Sequence, residues 1–283
     1  MFNRKWKYGI LFFLFALALI LGGIISHSQN QDLNVIFLDV GQGDSILISK
    51  GNSQILIDGG SSGNVLLEKL GKYIPFWDRK IELIVESHPD ADHIQGFVDV
   101  FKHYQVEKVI KTEDESQSQV FKTLENLIAK EKAEVVNGTK ETNIKLSDGI
   151  NGEIIYPSTL KTGSDTNENS IVMKLTTEKN SFLFTGDLPM DAEDEIISKG
   201  TNLSSDYLKV AHHGSKYSTS TEFLKKVNPK EAIISVGKNN SYGHPSPETL
   251  DRLQKENIPI LRTDEKGDII FNCPLGKSCY QEI

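Results

Sequence analysis

Four side chains of metal-ligand type, His88, Asp90, Asp92 and His93, fall within the stretch Ser87-His88-Pro89-Asp90-Ala91-Asp92-His93, directly after the strand-like run Ile81-Glu82-Leu83-Ile84-Val85-Glu86. Two carboxylates and two imidazoles at one buried strand end constrain the fold strongly, because grouping two anionic side chains is costly unless a cation neutralises them. Acidic residues in a first helical turn suit the positive end of the helix dipole. That accounts for Asp90 and Asp92 but not for His88 and His93, whereas a bound metal accounts for all four.

The chain has 283 residues, 38% hydrophobic and 25% charged, enough for a real core in one large or two small domains. Its first thirty residues stand apart. Arg4, Lys5 and Lys7 precede an uncharged apolar run over residues 8–25. That run is at the lower edge for a spanning helix and longer than the usual core of a cleaved signal. Residues 1–30 are therefore expected to be a signal anchor or signal peptide, with retention as an anchor favoured over cleavage near Ser26-His27-Ser28. The basic terminus stays cytoplasmic by the positive-inside rule, so the remainder is expected outside the cell membrane, or secreted if the leader is removed.

Cys273 and Cys279 are the two cysteines. In an exported chain a disulfide closing their short loop is expected, and a zinc knuckle would need further ligands nearby. The net charge of −8 excludes whole-molecule attraction of a polyanion. Any nucleic-acid contact must be local. Lys209, Lys216, Lys225, Lys226 and Lys238 gather around the later candidate loops, as ordinary surface lysines also would.

Residues 33–283 read as one domain, with no linker, repeat or low-complexity tract. Strand-like runs at 33–40, 45–49 and 54–57 are joined by turn-type residues. Gly41-Gln42-Gly43-Asp44 is such a turn: a phosphate-cradling loop should open a helix, and here a strand follows. Helices are expected to about 72, over 93–104, through 132, and at 191–198, 221–227 and 247–256. Strands are expected at 81–86, 106–110, near 135 and 144, and at 153–156, 171–176, 182–185, 207–211, 232–236 and 258–261. The order is antiparallel strands followed by alternating helix and strand, twice over. Two sheets with helices on their outer faces satisfy it.

Three later segments repeat the theme of a strand ending in reactive residues. Phe182-Leu183-Phe184-Thr185-Gly186-Asp187 ends in a carboxylate, Leu208-Lys209-Val210-Ala211-His212-His213-Gly214-Ser215 in two imidazoles, and Tyr242-Gly243-His244-Pro245 leads into a helix with Ser246 as its cap and Pro247 in its first turn.

In this order the motifs resemble the metallo-β-lactamase superfamily. More narrowly, Asp39-Val40-Gly41-Gln42-Gly43-Asp44-Ser45, Leu56-Ile57-Asp58-Gly59-Gly60, His88-x-Asp90-x-Asp92-His93, Thr185-Gly186-Asp187, His212-His213-Gly214-Ser215 and Gly243-His244-Pro245 resemble the hydrolase domain of ComEC-type competence proteins. The resemblance implies a four-layer αββα sandwich with a binuclear metal site at one edge. It implies His88 and Asp90 on the first metal and Asp92, His93 and His212 on the second. Asp187 would bridge them, and His213 would be able to exchange roles with His212. The general superfamily pattern has histidine at Asp90 and another histidine ligand before the bridging aspartate. No histidine lies between His103 and His212, and Asn169-Ser170 stands near the missing position. An oxygen-rich site of one or two divalent ions is therefore expected, favouring Mn²⁺ or Mg²⁺ over Zn²⁺. Asp58 is expected to brace the first motif.

The expected chemistry is metal-assisted hydrolysis of a phosphodiester, DNA above all. Asp92 or Asp187 would orient the water, His244 would contact a phosphate oxygen or protonate the leaving alkoxide, and His213, Ser215, Lys216 and Asn240 would bind substrate. With one membrane segment the chain would work beside a separate DNA-uptake channel or free-standing. The rival readings are a hydrolase of an ester, lactone or β-lactam, and a silent membrane-tethered module binding DNA or a surface partner.

Overall fold

The structure, a computed structural model, describes residues 4–28, 32–140, 142–147, 150–163 and 165–282. Helix α1 (Arg4–Ser28) is long and apolar enough to cross a membrane, its window Lys5–Gly23 having a mean hydropathy of 1.8 and no buried residue.

Beyond it, one plan is used twice. β1 (Leu33–Phe37), β2 (Ile46–Lys50) and β3 (Ser53–Ile57) run antiparallel. Then α2 (Gly63–Tyr73), β4 (Lys80–Val85), α3 (Ala91–Ile94), α4 (Phe97–His103), β5 (Gln105–Lys111), α5 (Gln119–Glu131) and β6 (Glu134–Asn137) extend the sheet with parallel strands. The second half repeats this. β7 (Asn143–Ser147), β8 (Ile150–Tyr156), β9 (Val172–Thr176) and β10 (Ser181–Phe184) are antiparallel. Next, α6 (Met190–Ser198), β11 (Tyr207–Lys209), α7 (Thr221–Val227), β12 (Glu231–Ile234), α8 (Pro247–Lys255) and β13 (Ile260–Arg262) alternate, with β10 to β13 mutually parallel. After α9 (Thr263–Lys266), β14 (Ile269–Cys273) and β15 (Tyr280–Gln281) return to the first sheet, where β14 pairs with β1. The sheet orders are β15-β14-β1-β2-β3-β4-β5-β6 and β13-β12-β11-β10-β9-β8-β7.

Side-chain alternation builds the layers. Val35 and Phe37 point between the sheets, where they meet Ile46, Phe182, Phe184 and Phe271, while Ile36 faces the other way under Leu66, Leu70 and Phe97. On the far face Leu183, Leu208 and Ile234 lie beneath Phe223, Leu224 and Leu253. Parallel strands covered on both sides need apolar residues on both faces, and β12 supplies Ala232, Ile233 and Ile234 in a row. The result is the four-layer αββα sandwich that the motif order implies.

The helix expected over 93–104 is two helices. Gln95 and Gly96 keep helical φ and ψ, but the ladder is interrupted because the Gly96 amide donates to Gly60 O at 3.1 Å, an approach so close that a side chain on Gly96 would collide with the carbonyl of Gly59. β14 and β15 belong to no run read from the sequence. Cys273 and Cys279 form a disulfide beside β1.

Candidate metal centre

Parallel strands deliver the site. β4 ends at Val85 and hands over to His88, with Asp90 at the cap of α3 and Asp92 and His93 inside it. β10 ends in Thr185-Gly186-Asp187, and β11 in the turn carrying His212 and His213. Gly186 has a φ of +50° and packs against Ser87, a conformation that costs glycine little and other residues much. His212 and His213 themselves adopt φ of 50° and 52°, a strained state for non-glycine residues. Neighbours hold it: the His212 amide donates to Gly186 O at 3.1 Å, and the Ser215 amide to His212 O at 2.8 Å.

Asp187 is the hub. Its carboxylate lies 3.3 Å from His93 Nε2, 3.5 Å from His213 Nε2 and 3.6 Å from His212 Nε2. His213 Nε2 is also 3.4 Å from Asp92 Oδ2, and His88 Nε2 is 3.8 Å from Asp90 Oδ2. Three triads of ligand atoms each fit within 4.8 Å around this hub: His88, His93 and Asp187; Asp92, His93 and His213; Asp44, Asp187 and His213. Ligands at about 2.1 Å from a cation lie roughly 3–3.5 Å from one another, so the spacing suits an ion.

The hydrogen bonds behind the rings settle which nitrogen faces the centre. Asp58 accepts from the Ser87 amide at 2.8 Å, from Ser87 Oγ at 2.7 Å and from His93 Nδ1 at 2.9 Å. Since Ser87 Oγ gives its proton to Asp58, it accepts from His88 Nδ1 at 2.9 Å. His213 Nδ1 donates to the Ser235 carbonyl at 2.9 Å. All three histidines thus carry a proton on Nδ1 and present Nε2. Among the described residues, the buried Nε2 atoms of His88, His93 and His213 and Oδ1 of Asp187 have no hydrogen-bond partner. Four buried polar atoms left unpaired around one point would be expensive, and a cation satisfies them together.

The electrostatics agree. Burial pushes the Asp187 carboxyl up, yet the His213 and His93 rings outweigh it and hold it well below the usual carboxylate range. Burial disfavours charge on His93, but Asp187 and Asp58 raise it well above the ordinary imidazole value. His213 rises to about 10 against burial, through Asp187 and Asp44. His88 is pushed down to about 4 by burial and by His93. Asp92 is lowered despite burial by the adjacent His213 and His93 rings, and Asp90 is raised by burial.

Sequence reasoning put His212 on the second metal with His213 as its alternate. Among the described residues, two of the tight triads contain His213 and none contains His212, which stands at their rim. Asn169 is turned away: its oxygen accepts the Lys161 amide at 2.9 Å, and its nitrogen donates to Asp114 at 2.8 Å. Near the missing ligand position, Ser170 Oγ accepts the Asp187 amide at 3.3 Å and Thr166 donates to Asp90 at 2.8 Å. Asn240 uses its amide to hold the His244 loop, accepting from the His244 amide at 3.1 Å and donating to its carbonyl at 2.6 Å. His244 packs against the ring of His212 with centroids 5.7 Å apart. Ser215 is buried and its Oγ accepts the Tyr217 amide at 3.4 Å, while Lys216 is exposed over Tyr217. The sequence reads Lys209 as one of the lysines open to a local nucleic-acid contact or to solvent, and Asp44 as part of a turn; burial overturns the reading of Lys209. Both are buried at the centre, Lys209 Nζ donating to Gly186 O at 3.0 Å and lying 3.9 Å from Asp187.

Two sheets, helices on both outer faces and a histidine and aspartate centre at the strand ends define a metallo-hydrolase fold. Residues 38–238 match the metallo-beta-lactamase superfamily, and the chain belongs to it. Its curated relatives include three competence-related proteins of the ComEC type. It is 33% identical over 255 residues to ComE operon protein 3 of Bacillus subtilis, covering 84% of this chain and 32% of that one. It is 30% identical over 269 residues to competence protein ComA of Neisseria gonorrhoeae, covering 91% and 35%. Recombination protein 2 of Haemophilus influenzae is 30% identical over 273 residues, covering 95% and 32%. The chain spans about a third of the length of these relatives. Among solved structures, the fold is similar to the metallo-beta-lactamase fold protein YhfI from Bacillus subtilis, with a TM-score of 0.58 at 13% identity, covering 85% of this chain and 99% of that one.

Proposed function

We propose that residues 33–283 form a metal-dependent phosphodiesterase acting on DNA, held outside the cell membrane by residues 1–30 as a retained anchor, beside a separate DNA-uptake channel. The observation that carries the metal-dependent chemistry is the convergence of three unpaired Nε2 atoms and Asp187 Oδ1 at one sheet edge. The competence-related relatives support DNA as the phosphodiester.

His88 and Asp90 would hold one cation and Asp92, His93 and His213 a second, with Asp187 between them and His212 at the rim. The carboxylate-rich first position suits Mn²⁺ or Mg²⁺ better than Zn²⁺. A bound divalent cation would supply a water more acidic than bulk water and would neutralise charge developing at phosphorus. The chain's own groups do the rest. Asp92 and Asp187 accept hydrogen bonds from the attacking water and so orient it. Asp58 keeps His93 from turning. His244 is held down in pKa by burial and by His212, so its neutral ring would donate an N–H hydrogen bond to a phosphate oxygen, while protonating a leaving alkoxide would draw on its imidazolium form. Lys216 offers a charge to a neighbouring phosphate, while Asn240 acts through His244.

The test is digestion of plasmid and of single-stranded DNA by purified protein with Mn²⁺, Mg²⁺ or Zn²⁺, with EDTA and Asp187→Asn as controls. Metal-dependent cleavage lost in both controls is expected. Turnover of nitrocefin with inert DNA would favour β-lactam chemistry. Salt-sensitive DNA binding without cleavage under any cation would favour a silent binding module.

A further inference from the structure

The pole opposite the metal centre is marked by its connection to α1. Four residues, 29–32, separate Ser28 at the end of α1 from Leu33 at the start of β1. Five Cα steps reach at most about 18 Å. β1, β3, β4 and β5 all run in one direction, so they begin at the pole where the chain enters and end at the pole that bears His88.

That entry pole exposes large apolar side chains. The turn between α2 and β4 carries Phe76, 71% exposed, and Trp77, 39% exposed, their rings in edge contact at 4.9 Å. The loop closed by Cys273 and Cys279 carries Leu275, 58% exposed, and Cys273 is the register partner of Leu33 itself. β4 is three strand spacings from β1, about 14 Å. Both loops therefore lie within the reach that the short connection to α1 allows. Large aromatic side chains with a polar edge favour the boundary between acyl chains and headgroups. Charge at this pole is mixed, with Lys277 and Lys179 beside Glu178 and Asp78, so apolar contact rather than net charge is what recommends a lipid surface.

We propose that this pole rests on the bilayer, with Phe76, Trp77 and Leu275 inserted among the headgroups, so that the metal centre faces away from the membrane. This rests on the reading of α1 as a retained anchor. β4 has six residues, about 20 Å of strand, so a strand standing upright on this pole holds the centre about that far from the lipid. Substrate then approaches from the outside rather than along the membrane.

The two tryptophans, Trp6 and Trp77, allow a direct test in which the two readings fail separately. The full chain is reconstituted in phosphatidylcholine vesicles containing lipid brominated near the headgroup. Trp6→Phe leaves Trp77 as the reporter, and Trp77→Phe leaves Trp6. Docking predicts that brominated lipid lowers Trp77 emission about two-fold, that salt does not reverse this, and that Phe76→Asp with Leu275→Asp, both at exposed positions, abolishes it. Quenched Trp6 with unquenched Trp77 would overturn docking and keep the anchor. If neither tryptophan is quenched, or Trp6 is absent from the mature chain by mass, the anchor reading falls and docking with it.

Discussion

Lys209 and Asp44 form an ion pair sealed inside the metal centre, each side chain only 1% exposed. The pair ties the Gly41–Asp44 turn to the end of β11, and Gly43 makes this possible, since a side chain there would strike the carbonyl of Asp92. Lys209 and His213 together hold the Asp44 carboxyl below its ordinary range against the effect of burial. Removing one partner of such a pair strands a charge. Lys209→Ala is expected to destabilise the metal-free protein by about 3–5 kcal/mol, and Asp44→Asn with Lys209→Met by clearly less, both measured by urea unfolding. A loss below about 1 kcal/mol for Lys209→Ala would show that water reaches the pair.

Metal binding should release protons. Without a cation, His213, raised to about 10, and His93, also raised, carry a proton on the Nε2 that a metal needs. The apparent dissociation constant for Mn²⁺ is expected to fall about ten- to a hundredfold per pH unit between pH 7 and 9. Stability of the metal-free fold moves the other way. A histidine whose folded pKa is raised stabilises in full below its unfolded value of about 6.5 and loses this contribution as pH rises through about 10. Calorimetric Tm values for EDTA-treated and Mn²⁺-loaded protein should therefore diverge over that window. A flat metal affinity from pH 7 to 9 would refute the assignment of His213 and His93 as ligands.

Much of this arrangement is legible in the sequence because burial and periodicity leave local marks. Runs such as Leu83-Ile84-Val85 and Ala232-Ile233-Ile234 are strands covered on both faces, and each ends in polar residues that a core would not tolerate singly. What could not be read depends on contacts remote in the chain. Lys209 resembles any surface lysine until β11 is seen between β10 and β12. His212 and His213 look alike in the sequence, and only the left-handed turn that carries both distinguishes the buried His213 from the partly exposed His212. Asn169 is drawn away by Asp114, and β14 exists through its pairing with β1.

Asp58 controls how the first motif presents its imidazoles, so its substitution separates positioning from ligation. In Asp58→Asn the amide group loses acceptance from Ser87 Oγ and His93 Nδ1 at the same time, freeing both rings to adopt the wrong tautomer. Affinity for Mn²⁺ is expected to fall about 10- to 100-fold. Calorimetric titration of the variant checks this, with circular dichroism confirming that the sandwich persists. Unchanged affinity would mean that His88 and His93 are held by packing alone.

His244 offers the cleanest separation of chemistry from metal binding, because no tight ligand triad includes it. Asn240 fixes its loop from both sides, while the ring itself meets His212 and Tyr242, the latter at 6.1 Å and nearly parallel. If it donates a proton to the leaving group or binds the phosphate, His244→Ala should lower kcat on DNA by about 10²- to 10⁴-fold with metal content unchanged by elemental analysis. Asn240→Ala should give a smaller fall of the same kind, since it loosens the loop and leaves the imidazole in place. Loss of bound metal in His244→Ala would instead make His244 part of the coordination, and full activity in that variant would remove it from the reaction.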